Sequence, residues 1–139
     1  MSVIQLLVMQ PEKHPTHSQI SEAARAESIP YQPENANLSS HTGFLPVLIG
    51  ERKTGFEYYF APVEDGQLPT EATQFGSWQM VARTGGDMAE MLASLLFFRT
   101  AAKLSGAAYV YPDDGTIIAP SGVDGFLSDQ INQIGKFLK

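Results

Sequence analysis

The chain has 139 residues, of which 43% are hydrophobic and 17% are charged, with a formal net charge of −6 and no cysteine. This size and balance predict one globular domain over residues 1–139 with a buried core, and they exclude an intrinsically disordered chain. The negative charge disfavours nucleic-acid binding through phosphate neutralisation, and the missing cysteines exclude a disulfide framework and a thiol nucleophile.

The N-terminal part of the chain predicts a strand, a helix and a loop. Residues 2–9 form an apolar run of β type. Thr16 or Ser18 can cap a helix that runs to about residue 28, and Pro30 stops it, because proline disfavours helix in the residue before it. Residues 30–42 are polar and rich in Asn, Ser and Pro, which predicts a loop.

Residues 43–62 carry the signature of a β-hairpin, two apolar and aromatic-rich runs around a polar tip. Pro46 predicts an edge strand or a bulge in the first run, since proline cannot donate a hydrogen bond to the ladder. Alternation gives the second run two faces, one with Phe56, Tyr58 and Phe60 and the other with Glu57, Tyr59 and Ala61.

The centre of the chain continues with an acidic connection over residues 64–74 and an alternating strand over residues 77–83. The strongest helix follows. Asp87 and Glu90 make an Asp variant of the capping box, and Gly106 is placed to end the helix. The apolar stripe of this helix is so wide that we expect it to be substantially buried.

The C-terminal part predicts a second hairpin and a last helix. Two short apolar runs flank a Pro-Asp-Asp-Gly turn at residues 112–115. Ser121 can cap a final helix whose apolar residues, from Val123 to Leu138, share one face. Lys136 and Lys139 suit the C-terminal end of its dipole.

The order of these elements is strand, helix, hairpin, strand, helix, hairpin, helix. Hairpins impose antiparallel pairing, whereas strand–helix–strand links allow parallel neighbours. The predicted fold class is therefore α+β, with a single mixed, mostly antiparallel sheet and helices packed mainly on one face. A ferredoxin-like core with additions fits this order.

The apolar runs are too short for a membrane protein. None approaches the roughly 20 residues that a spanning helix needs. The N-terminal apolar run lacks the basic flank and the small-residue cleavage site of a signal peptide. We therefore expect a cytoplasmic protein with no membrane partner and no nucleic-acid partner.

The sequence contains no familiar catalytic or cofactor motif. A Walker lysine, Gly-x-Gly-x-x-Gly, Gly-x-Ser-x-Gly and His-Glu-x-x-His are all missing. His14 and His17 have a ligand-like spacing, but Pro15 separates them in a predicted loop, and nothing places His41 nearby. We predict no catalytic residue, no cofactor and no metal site.

One enzymatic alternative stays open. Glu57 lies mid-strand between aromatic residues, where partial burial is conceivable for a carboxylate. The alternative is a small enzyme or ligand-binding domain with a cleft around Glu57 and the loops of His14, His17 and His41.

The aromatic residues of the hairpin indicate where a partner binds. Tyr58, Tyr59 and Phe60 are consecutive, so at least one of them faces away from the core. Exposed aromatic rings surrounded by acids are typical of a protein-binding surface. The predicted partner-binding residues are Glu57, Tyr59, Glu64, Asp65 and Glu71. The carboxylates of Glu64, Asp65 and Glu71 would attract a basic protein domain.

The hairpin and turn motifs resemble small bacterial immunity proteins, which are encoded beside polymorphic or type VI secretion toxins. The resemblance is carried by Gly43-Phe44-Leu45-Pro46-Val47, by Gly55-Phe56-Glu57-Tyr58-Tyr59 and by Gly106-Ala107-Ala108-Tyr109-Val110-Tyr111-Pro112-Asp113-Asp114-Gly115. It implies a cytoplasmic, non-enzymatic protein that binds a cognate toxin and blocks it, usually by occluding the toxin's active site. These are scaffold motifs, so the resemblance assigns no binding residue.

Overall fold

The computed structural model describes residues 2–27, 31–33 and 37–135, without the side chain of Tyr31. The strands are β1 Val3–Met9, β2 Tyr31–Pro33, β3 Gly43–Ile49, β4 Arg52–Pro62, β5 Trp78–Thr84, β6 Ala108–Tyr111 and β7 Thr116–Ile118. The helices are α1 His17–Ala26, α2 Thr70–Thr73, α3 Met88–Ser105 and α4 Pro120–Gly135, and a 3-10 turn covers Pro11–Lys13.

The strands form one seven-stranded sheet in the order β2-β3-β4-β5-β1-β6-β7. Every pairing between the described strands is antiparallel. In chain order, β1, α1, β4, β5, α3 and β6 make the β-α-β-β-α-β succession of a ferredoxin-like core, and the other elements extend it. The predicted α+β class is confirmed, and its sheet is antiparallel in place of mixed.

Helices α1, α3 and α4 cover one side of the sheet, which we call the inner face. Ile20 of α1, Phe97 of α3 and Leu127 of α4 belong to the same buried cluster as Leu7 and Met80 of the sheet. The short helix α2 lies on the opposite side, the outer face, where Ala72 joins a second and smaller cluster. The main core is therefore a layer between three helices and the inner face.

Helix α3 is the centre of this core. Asp87 and Gly106 stand at its ends as predicted, but the capping box is incomplete, because the Glu90 side chain accepts from the amide of Gly85 and not from that of Asp87. The Asp87 carboxylate accepts hydrogen bonds from the amides of Ala89 at 2.7 Å and Glu90 at 3.2 Å. Gly106 ends the helix in the left-handed conformation, with φ of 69°. Between these ends α3 is buried nearly all round, as the width of its apolar stripe predicts.

The start of α1 is as predicted, whereas the start of α4 and the loop before β3 differ from the prediction. Thr16 caps α1 in a full capping box with Gln19, whereas α4 begins at Pro120, which places Ser121 inside the helix and not at its cap. Residues 31–33 form strand β2 inside the segment predicted as a loop, because they pair with β3. The predicted helix stop at Pro30 and the predicted positions of Lys136, Leu138 and Lys139 lie outside the described residues.

Two aromatic residues of β4 pack beneath α3. The ring centroids of Phe56 and Phe97 are 5.3 Å apart, and those of Tyr58 and Phe97 are 5.8 Å apart. The buried Tyr58 hydroxyl donates a hydrogen bond to the carbonyl of Leu38, and burial raises the pKa of this phenol. Tyr58 thereby ties the chain before β3 to the core.

The inner face also buries one polar network. Gln5 donates to the Ser94 hydroxyl at 2.9 Å and accepts from the Tyr109 hydroxyl at 2.6 Å. The network links β1, α3 and β6. Since both ends of the Gln5 amide are satisfied, its burial does not leave an unpaired polar group.

We expect Tyr58→Phe to lower the free energy of unfolding by about 1–3 kcal/mol, because the buried carbonyl of Leu38 loses its donor. Urea unfolding measures the change. Tyr59→Phe is the matched control, since Tyr59 is the exposed neighbour, and it should shift stability by less than about 0.5 kcal/mol. Equal effects of the two substitutions would contradict the assigned role of the Tyr58 hydroxyl.

Candidate protein-binding surface

The pleat of β4 places Glu57 and Tyr59 on the outer face. Since Phe56 and Tyr58 point towards α3, the residues that alternate with them point the other way. Both Glu57 and Tyr59 are exposed, as predicted for a solvent-facing pair. The partial burial expected for Glu57 in the enzymatic alternative is wrong, because its exposed side chain lies on the opposite side of the sheet from α1, α3 and α4.

The strand registers bring four outer-face residues into one row. Phe44 of β3 lies opposite Glu57 of β4, Glu57 lies opposite Arg83 of β5, and Arg83 lies opposite Ile4 of β1. Directly opposite side chains in an antiparallel pair are about 4.5–5.5 Å apart at Cβ. From β3 through β4 and β5 to β1, the row therefore consists of an apolar, an acidic, a basic and an apolar residue.

Apolar side chains are unusually exposed around this row. The exposed fractions are 54% for Phe44, 44% for Tyr59, 40% for Leu48 and 37% for Ile4. Single exposed apolar residues are ordinary, whereas several of them on one face of a sheet make a candidate interaction site. We call the group Phe44, Leu48, Tyr59 and Ile4, with Glu57 and Arg83 between them, the outer patch.

The ring of Phe44 packs closely against Gly55, which has no side chain to keep it away. A Cβ atom at Gly55 would lie 2.5 Å from Cζ of Phe44 and 2.4 Å from the carbonyl oxygen of Leu45. The Phe44 ring thus rests directly on the backbone of β4, an arrangement in which an aromatic residue covers a glycine of the neighbouring strand. The most exposed apolar side chain of the patch consequently has a firm support.

The acidic segment, residues 63–77, covers the other half of the outer face. Its Leu68 and Ala72 pack on a cluster of Leu6, Val8, Val81 and Val110. The amides of Gln67 and Gln79 bond to each other at 3.1 and 3.3 Å. The segment is therefore anchored to the sheet by a small apolar core and by an amide pair between the exposed Gln67 and the buried Gln79.

Glu64, Asp65 and Glu71 lie on this segment, and all three are exposed. Val81, beneath the segment, is the cross-strand neighbour of Tyr59. The acidic segment therefore borders the outer patch, and the structure brings the five predicted partner-binding residues to one side of the molecule.

The three histidines do not gather around Glu57. The His14 ring packs on Phe60 with centroids 4.5 Å apart, His17 donates to the carbonyl of Pro33 at 2.8 Å, and His41 donates to the carbonyl of Phe44 at 2.9 Å. Among the described residues, the cleft beside Glu57 is lined by no histidine, and the cleft beside His17 does not include Glu57. The geometry expected by the enzymatic alternative is therefore not formed.

Metal-ligating side chains do not cluster in residues 2–27, 31–33 and 37–135, where no three His, Asp or Glu side chains could hold one ion together. Over the same residues, none of the helices combines the length and the apolarity needed to cross a bilayer.

Burial and the nearby charges of Tyr111 and Asp114 raise the pKa of the Tyr109 phenol, so it stays protonated within the core.

Sequence reasoning missed Phe44, Leu48, Ile4 and Arg83 as patch residues. In β3 and β1 nearly every position is apolar, so alternation does not tell the buried face from the exposed one. The available signal was the hairpin register, which places Phe44 opposite Glu57 once Phe56 is assigned to the core.

Comparison of the chain with protein-family models, with curated proteins and with solved structures finds no significant match. The candidate surface is therefore defined by its own geometry.

We expect Gly55→Ala to destabilise the fold by about 1–3 kcal/mol, because the new methyl group meets the Leu45 carbonyl, which is backbone and cannot rotate away. Thermal unfolding measures the loss. Gly125→Ala is the control: it lies in α4 in open space and should raise stability by about 0.5–1 kcal/mol. A neutral Gly55→Ala would contradict the close support of Phe44.

Proposed function

We propose that this protein is a non-enzymatic binding module, an immunity protein that binds and neutralises a cognate bacterial toxin in the cytoplasm. The observation that carries the proposal is the outer patch, in which four exposed apolar side chains stand on a rigid sheet beside a segment rich in carboxylates. The binding role rests on this surface, and the toxin as partner rests on the resemblance of the hairpin and turn motifs to immunity proteins.

The composition of the patch suits a protein partner. Aromatic rings supply a large contact area at low cost in conformational entropy, and interface hot spots are enriched in them. Phe44 and Tyr59 extend from neighbouring strands of one sheet, so little ordering is needed on binding. Such a preformed surface of side chains on a sheet suits contact with another protein.

The charge distribution suits a basic partner. The protein has a net charge of −6, and Glu64, Asp65 and Glu71 stand together beside the patch. Complementary charges at the rim of an interface accelerate encounter and favour the correct partner. A toxin with a basic substrate groove presents the matching potential.

The test begins with co-expression of the neighbouring reading frame with and without this protein. We expect the neighbour to be toxic alone and harmless in the presence of this chain. A harmless neighbour, or one that stays toxic in the presence of this protein, would show that the immunity role is wrong.

Alanine substitutions then locate the surface. Phe44→Ala and Tyr59→Ala should each weaken binding of the neighbouring gene product about 30-fold, the effect of losing roughly 2 kcal/mol at a hot spot. Calorimetry or surface plasmon resonance measures the affinity. Leu104→Ala is the control, because Leu104 is also exposed (42%) but lies on α3, which covers the inner face. A loss as large for Leu104→Ala would place the interface elsewhere.

The acidic segment is tested by its effect on association. We expect combined Glu64→Gln, Asp65→Asn and Glu71→Gln to slow association about tenfold at low salt and to leave dissociation nearly unchanged, because rim charges act on encounter. Stopped-flow kinetics at two salt concentrations measures both rates. The control neutralises Glu22, Asp113 and Asp129, three exposed carboxylates outside the segment. Equal slowing by both triple variants would mean that association depends on the net charge alone and not on the acidic segment.

A further inference from the structure

A cleft of about 210 Å³ lies on the inner face, between the two long helices and the hairpin of β6 and β7. Gln5, Leu95 and Tyr109 are buried and form its floor. We call it the inner cleft. It lies on the opposite side of the sheet from the outer patch.

The pleat of the strands directs their lining side chains to this side. Gln5 of β1 alternates with Leu7, which belongs to the inner core, and Tyr109 and Tyr111 of β6 both pack on that core. Thr116 of β7 lies directly opposite Tyr111 in the register, so the two share a face. The strands therefore present one polar and aromatic wall to the cleft.

The helical repeat supplies the other wall. Met91 and Leu95 are four residues apart on α3, and Phe126, Gln130 and Ile134 follow one another at the same spacing on α4. Residues four apart lie one above the other on a helix face. The lining side chains of both helices thus meet those of the sheet in one place.

Three aromatic rings belong to this lining, those of Tyr109, Tyr111 and Phe126. The centroids of Tyr109 and Phe126 are 5.5 Å apart, and their planes are inclined at 41°. The face of an aromatic ring carries negative potential and attracts a cation that lies within about 6 Å of its centre. Several rings around one small space are therefore suited to a positively charged group.

The charge of the cleft has the matching sign. Of the lining residues that the structure describes, Asp114 carries the single carboxylate, and none is a lysine, arginine or histidine. Hydrogen bonding from Thr116, whose amide lies 2.9 Å from Oδ1, lowers the pKa of Asp114, so this side chain is ionised at neutral pH. An anionic ligand would meet the carboxylate without a cation to balance it.

The floor makes its hydrogen bonds within the protein. The Gln5 amide donates to the Ser94 hydroxyl at 2.9 Å and accepts from the Tyr109 hydroxyl at 2.6 Å. A ligand with many N–H donors would have to leave some of them unpaired on losing water, which is costly. A quaternary ammonium group has no N–H donor, so it enters without this cost.

We propose that the inner cleft binds a small quaternary ammonium compound, with its methyl groups against the aromatic rings and its charge beside Asp114. Recognition of such groups is a known use of cation–π contacts. A protein cavity of about 150 Å³ accepts benzene, so a cleft of about 210 Å³ has room for a trimethylammonium group with a short chain. The site is independent of the proposed toxin binding, because it uses the other face of the sheet.

The test compares three probes of nearly the same skeleton. Choline is titrated into the ¹⁵N-labelled protein, with 3,3-dimethylbutan-1-ol as its uncharged isostere and ethanolamine as its primary-amine counterpart. We expect saturable amide shifts at Tyr111, Thr116 and Gln130 with choline, and at least tenfold weaker binding of the other two. Absence of a saturable choline shift would overturn the site, and equal binding of either other probe would overturn the quaternary ammonium as its ligand.

Phe126→Leu tests the aromatic contact. It replaces the ring with an apolar side chain, so choline should bind at least fivefold more weakly while the uncharged alcohol is little affected. Phe60→Leu is the matched control, because Phe60 is also a half-buried ring packed on the inner core but does not line the cleft. An equal loss of choline binding in the control, or an equal loss for both probes in Phe126→Leu, would overturn the contact.

Asp114→Asn tests the charge. Asparagine keeps an oxygen for the amide of Thr116, and we expect about threefold weaker choline binding, the size typical of an exposed charge interaction. Asp113→Asn is the control, an exposed carboxylate of the same turn that does not line the cleft. Equal losses for the two variants would mean general attraction to the turn and would overturn the role of Asp114.

Discussion

The packing of α3 against β4 is the contact on which the rest of the molecule depends. Phe97 of α3 lies between the rings of Phe56 and Tyr58, and this fixes which side of β4 faces the helices. Because strand residues alternate, a slip of one residue would turn Glu57 and Tyr59 into the core. The aromatic contact therefore sets the composition of the outer face as firmly as it sets the inner one.

One half of the outer face is covered by the acidic segment, and the other half is exposed. The acidic segment buries its half with Leu68 and Ala72, while the half around Phe44 is open. The two halves meet along β4 and β5, so the exposed carboxylates and the exposed rings share one rigid support. A surface of this kind brings steering charges and contact area to a partner together, which is the combination that the proposed inhibitory role requires.

The sequence predicts the fold best where an element is determined by interactions between residues close together in the chain. Asp87, Gly106 and the alternation of β4 and β5 predicted the ends of α3 and the strands, because caps and pleats act over a few residues. Strand β2 escaped prediction, since its residues are held by partners distant in sequence, the ladder of β3 and the ring of His17, and Ser121 suggested a cap that Pro120 displaces. The residues of a short segment do not by themselves reveal which distant strand it pairs with.

The candidate site shows the same division. Glu57 and Tyr59 could be assigned to the outer side from β4 alone, whereas Phe44 and Ile4 became patch residues only through the registers that align four strands.

Within the described residues, the sheet ends on both sides in strands of three residues, Tyr31–Pro33 and Thr116–Ile118. Such short borders give little template for adding a foreign strand, and so they protect against edge-to-edge aggregation. In the proposed function, a partner is then recognised by side chains on the face of the sheet and not by addition of a strand to its edge. These positions can change their chemistry without disturbing the ladder beneath them. Under the proposed binding role, partner choice and foldability are therefore separable in this chain, because the side chains that would contact a partner are not those that pack the core.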